Sequence, residues 1–131
     1  MKHRSSFGYF KILPGNVLEI TVDQGKEITL EMLDESNDFI SAHFTEGFGL
    51  LINRINQYTY SYEAQLSVAS HSGLRALAFV CYSSESEREV RKMQELRAVD
   101  QWNVQFFSGL ELGWQQAYNW LKEELAHIKI T

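Results

Sequence analysis

Phe48-Gly49-Leu50-Leu51-Ile52 and Leu74-Arg75-Ala76-Leu77-Ala78-Phe79-Val80-Cys81-Tyr82 decide the fold. Both runs are almost continuously apolar and lack a clean alternation. That is the pattern of strands buried on both faces of a parallel sheet covered by helices. The polar, tyrosine-rich crossing between them is long enough to carry the helix that two parallel strands require. The chain therefore reads as a small α/β protein whose useful polar groups lie where these strands end.

Upstream, residues 7–12 and 17–22 read as two more strands. Leu13-Pro14-Gly15-Asn16 joins them with turn chemistry, since Pro presets one torsion and Gly and Asn tolerate positive φ. Leu18, Ile20 and Val22 share one side of the second strand, and Glu19 and Thr21 share the other. A β-hairpin follows. Asp23-Gln24-Gly25-Lys26 is a break, after which Thr29 caps a helix reaching about residue 44. Leu33, Ile40 and Phe44 lie on one face of that helix, with Leu30 on its flank. The third strand ends at Asn53-Arg54, and residues 55–61 read as a loop. Ser61 then caps a short helix through Leu66, Val68 and Ala69 that stops at Gly73.

After the fourth strand, Ser84-Glu85-Ser86-Glu87 has the spacing of a capping box. Val90, Met93 and Leu96 stripe the helix it opens. Residues 104–107 form a short strand, and Ser108-Gly109-Leu110-Glu111 is a second capping box. The last helix aligns Leu110, Trp114, Ala117, Leu121, Leu125 and Ile128 near one face. The expected architecture is a single α/β domain over residues 1–131, with a five-stranded, mostly parallel mixed sheet and about four helices.

A chain of 131 residues with 44% hydrophobic and 22% charged residues fits one soluble globular domain. The net charge of −5 argues against a nucleic-acid surface. Arg88, Arg91, Lys92 and Arg97 are interleaved with Glu85, Glu87, Glu89 and Glu95, as on a solvated helix face. No run approaches the roughly 18 to 20 apolar residues of a membrane span, and the basic start lacks a signal-peptide hydrophobic region. Cys81, the one cysteine, falls in a buried strand, which fits a small hydrophobe in a cytoplasmic protein. His3, His43, His71 and His127 show no metal spacing. Neither a Gly-x-Ser-x-Gly elbow nor a Gly-rich phosphate loop is present. No catalytic residue, metal or cofactor is expected.

In an open α/β sheet, ligands bind beyond the carboxyl ends of parallel strands, where helix N-termini gather. The residues expected there are Asn53, Arg54, Tyr58, Tyr60, Ser61, Tyr82, Ser83 and Ser84, with Phe107 and Ser108 at the same edge. Arg54 reads either as a clamp for a carboxylate or phosphate or as the partner of a nearby acid. Tyr58-Thr59-Tyr60-Ser61-Tyr62 suits a protein interface or a partly apolar pocket. Aromatic residues make up 13% of the chain, and the surplus predicts surface rings at Tyr58, Tyr60, Tyr62, Trp102 and Trp114 and hence a homodimer.

The element order β-β-α-β-α-β-α-β-α, spanning residues 7–125, resembles the STAS and SpoIIAA-like group of small α/β domains. Three local features carry the resemblance. They are the strand ending in Asn53-Arg54 before a tyrosine-bearing loop, the strand through Tyr82 running into a Ser-capped helix, and Ala117-Tyr118-Asn119-Trp120-Leu121 in the last helix. Anti-sigma-factor antagonists of that group carry Asp-Ser-Ser/Thr-Gly after the third strand. Here the place reads Asn53-Arg54-Ile55-Asn56-Gln57-Tyr58-Thr59-Tyr60-Ser61, so a phosphorylation switch does not carry over. The resemblance implies a non-enzymatic cytoplasmic regulatory or protein-interaction module, binding a protein partner or a second copy of itself. The alternative is a carrier of a small lipid-like or anionic metabolite at the strand ends.

Overall fold

The hairpin forms where its turn chemistry places it. Strands β2 (Gly8–Leu13) and β3 (Val17–Val22) pair antiparallel, closing through Gly15 at φ 86° and Asn16 at φ 63°. The computed structural model describes residues 2–130; the side chain of Ile128 lies outside what it describes. A third short strand, β1 (Lys2–Arg4), pairs antiparallel with β2. On the other side of β3, strands β5 (Phe48–Arg54), β7 (Leu74–Cys81) and β8 (Val104–Ser108) continue the sheet in parallel. The sheet order is β1-β2-β3-β5-β7-β8.

The main sheet thus has six strands, where five were expected. Strand β1 carries Lys2, His3 and Arg4, so it has no apolar pattern to read. It is held by main-chain pairing, and its cations lie over the Tyr9 ring. A short charged edge strand also discourages pairing with another chain. Two further residue pairs, β4 (Glu27–Ile28) and β6 (Thr59–Tyr60), form a small parallel ladder. The loop expected over residues 55–61 is therefore pinned to the segment that follows β3.

Helices cover both faces. Helix α1 (Leu30–His43) starts at Thr29, whose Oγ1 accepts the Met32 N–H at 3.4 Å. It lies on one face with the single turn α2 (Tyr62–Gln65) and with α3 (Ser84–Leu96). That core contains Leu18, Ile20, Leu50, Ile52, Leu77 and Phe79 from the sheet, with Ile40, Val90 and Met93 from the helices. The opposite face is covered by α4 (Gly113–Ile130), where Ala117, Leu121 and Leu125 meet Leu51, Ala76, Ala78 and Val80. Gly49, Ala76 and Ala78 on this face are small, so α4 can lie close. A Cβ on Gly49 would stand 3.1 Å from a Leu121 methyl.

The second capping box does not form. Ser108 is still in β8, paired with Cys81, so α4 begins only at Gly113. The chain first reverses through Leu112 at φ 62°, and a Cβ on Gly113 would meet the Ser108 carbonyl at 2.0 Å. Leu110 consequently leaves the buried stripe and is 75% exposed.

Candidate functional site

Strands β3, β5, β7 and β8 run in one direction, so their carboxyl ends share an edge. A cleft of about 550 Å³ opens there. Its walls come from the turn after β3, the segment after β5, the β7–α3 junction and the first turns of α3. Lys26, Arg54, Tyr58, Tyr82, Glu85 and Glu89 supply its charges and rings.

Arg54 is the last residue of β5 and continues the face of Leu50 and Ile52. Its side chain runs beneath α3 and is only 2% exposed. Nε donates to Ser86 Oγ at 2.7 Å, and Nη2 donates to Glu89 Oε2 at 2.7 Å. The guanidinium also lies 4.6 Å from the Tyr58 ring centre and 5.8 Å from that of Tyr60. Nη1 is buried without a hydrogen-bond partner among the described residues.

Of the two sequence readings of Arg54, the geometry shows the partner of a nearby acid, Glu89. The side chain ties β5 to α3 through hydrogen bonds to charged and polar groups. Arg54→Ala should cost about 2–4 kcal/mol, measured by urea denaturation. The exposed Arg91–Glu87 pair should contribute less than about 1 kcal/mol on the same measure. Equal midpoints for wild type and Arg54→Ala would refute the tie.

Tyr58 is 4% exposed, and its hydroxyl lies 3.1 Å from that of the half-buried Tyr60. Burial pushes the Tyr58 phenol well above its ordinary range; Tyr60 adds to the shift and the Arg54 charge opposes it. Burial raises Tyr60 too, again against Arg54. Both phenols therefore hold their protons more tightly folded than unfolded. Their contribution to stability is intact below the ordinary phenol value of about 10 and is lost as pH climbs through the folded values. Melting temperatures followed up the alkaline range should fall, and Tyr58→Phe should flatten the slope. Ionisation of all six tyrosines with the fold still intact would contradict this.

The expected surface ring cluster is also corrected. Of its five members only Tyr62 is exposed, at 62%. Tyr58 and Tyr60 close over Arg54. Trp102 is half-buried, and Trp114 donates Nε1 to Glu19 Oε2 at 2.8 Å.

The eight site residues predicted from sequence divide into two groups. Arg54, Tyr58, Tyr82 and Ser83 line the cleft. Asn53 points to the α4 face and donates to Glu19 at 3.0 Å. Tyr60 stands behind Arg54, paired with Tyr58. Ser61 caps α2 by accepting the Ala64 N–H at 3.1 Å and stays outside the cleft. Ser84 is exposed, and the cap of α3 is Ser83, which accepts the Ser86 N–H at 3.1 Å. Phe107 turns to the α4 side beside Trp120.

Lys26, Gln24, Glu85, Ser86 and Glu89 line the cleft and were missed. The first two follow β3, whose parallel pairing with β5 sets its end beside Arg54. That pairing was the available signal. The glutamates read as a solvated helix face, and half of that is right, because the Glu89 side chain is 52% exposed while reaching Arg54.

Comparison with known proteins finds no matching family model, curated protein or solved structure.

Proposed function

We infer that this chain is a non-enzymatic regulatory binding module of the STAS and SpoIIAA-like kind, and that its cleft takes a small polar ligand with an anionic end. The observation that carries this is Arg54, a buried cation at the cleft whose Nη1 makes no hydrogen bond among the described residues. Pockets that orient ligands do so with a few such fixed polar groups. Lys26 stands on the same cleft, opposite Glu85 and Glu89. Two cations facing two carboxylates favour a ligand that also brings hydrogen-bond donors, such as a zwitterion. The apolar lining is restricted to Ile55 and the tyrosine rings, which supports a polar metabolite over a lipid-like one.

The test is a ligand-observed NMR screen of polar metabolites on the wild type, Lys26→Ala and Ile55→Trp. Ile55 is 56% exposed and lines the cleft, so an indole there should fill the space without disturbing the core. Hits should weaken about tenfold or more in both variants. Hits that bind all three proteins equally would place the site elsewhere.

A second reading, a protein-interaction surface, draws on the exposure of Ile55 and Tyr62 near the same edge. It predicts that native mass spectrometry of protein from its own cells will show a second copy or a partner chain, lost in Tyr62→Ser.

A further inference from the structure

A second cleft, of about 490 Å³, lies at the opposite end of the sheet, against the start of β7 and the segment before β8. Leu74 and Leu77 give it an apolar floor, and Arg75, Arg97, Asp100 and Trp102 give it polar walls. In a chain of net charge −5, two arginines here face one carboxylate. That carboxylate, Asp100, is already bonded to Arg97 Nε.

The walls are rigidly built. Arg97 is 7% exposed, and its Nη1 donates to the carbonyls of Gln65 at 3.1 Å and Val68 at 2.6 Å. Its Nη2 donates to Ser70 Oγ at 2.9 Å. The guanidinium lies 4.8 Å from the Trp102 ring centre, which fixes the indole on the cleft wall. Trp102 Nε1 is buried and reaches no acceptor among the described residues. A buried indole N–H ordinarily finds a partner, so the wall holds a donor without a mate. Arg75 is exposed at the mouth, held by the Ser72 carbonyl at 2.9 Å.

We propose that this cleft binds a small organic carboxylate, with its apolar body on Leu74 and Leu77 and its oxygens toward Trp102 Nε1 and Arg75. The apolar floor selects for a hydrocarbon or aromatic body. Arg75 and the indole N–H select for the acid over the corresponding alcohol; Arg97, paired with Asp100, holds the wall. The site is independent of the cleft at the carboxyl ends, and occupation of one does not require the other.

The probe is benzoate, with benzyl alcohol as the uncharged control, titrated into the full-length ¹⁵N-labelled protein. The chain has three tryptophans, so three indole N–H resonances report. Trp102 is assigned from Trp102→Phe or, if that variant does not fold, by elimination from Trp114→Phe and Trp120→Phe. Benzoate should shift the Trp102 resonance saturably and leave the other two in place. Benzyl alcohol should bind about tenfold more weakly, and Arg75→Gln should weaken benzoate severalfold. No saturable shift at Trp102 up to about 20 mM benzoate, or equal binding of acid and alcohol, overturns the proposal.

Discussion

A chain ended after Ser108 should fail to melt cooperatively and should aggregate or persist as a molten form. Among the described residues, α4 is the helix that covers this face of the sheet, so its removal opens Leu13, Val17, Leu51, Ala76, Ala78 and Val80 to water at once. Burial is worth roughly 25 cal/mol per Å² of apolar surface, and a patch of six core side chains exceeds what a marginally stable domain can lose. Polar ties go with it. Trp114 would no longer meet Glu19, and the Tyr118 hydroxyl would no longer donate to the Pro14 carbonyl at 2.8 Å. Asn53 would keep its bond to Glu19, but that carboxylate would lose its second donor. Differential scanning calorimetry decides the matter. A truncated protein with the same cooperative transition as the full chain would contradict this packing.

Phe79→Ala should cost about 3–5 kcal/mol, the largest effect expected of any single substitution considered. Phe79 sits mid-strand in β7, between β5 and β8, and is 1% exposed. It pairs across the sheet with Ile52 and stacks on Phe106 at 5.7 Å with an interplanar angle of 11°. Backbone neighbours on both sides prevent the sheet from collapsing into the space left behind. The cost should therefore fall toward the upper part of that range. A urea midpoint shift equivalent to less than about 1.5 kcal/mol would show that the layer is looser than described.

The apolar runs around Leu51 and Phe79 made the central strands legible, because burial on both faces leaves no polar alternation. Capping chemistry located the starts of α1 and α2. Legibility failed where tertiary context overrides local pattern. Lys2, His3 and Arg4 join the sheet through backbone pairing and through polar and ring contacts of their side chains, which a hydrophobic pattern does not register. Ser108 had the residue type and spacing of a cap but is committed to pairing with Cys81. Ser83 and Ser84 differ by one position, and only the backbone, extended at Ser83, selects the cap. Within the site, the position of Arg54 was legible and its burial was not. An arginine at a strand end gives no sign of whether a helix will cross over it, and the partners Ser86 and Glu89 lie 32 and 35 residues away. Tyr58 and Tyr60 lie against that same cation and pack into the core.

The edge formed by the ends of β3, β5 and β7 is the surface we propose for the zwitterionic ligand. Amide chemical-shift mapping of a ligand retained from the protein's own cells, or of the tightest hit from the metabolite screen, tests it most directly. The perturbed amides should cluster at residues 24–26, 54–59 and 82–89, the segments that meet around Arg54. Perturbations confined to other segments, with these three unmoved at saturation, would contradict it.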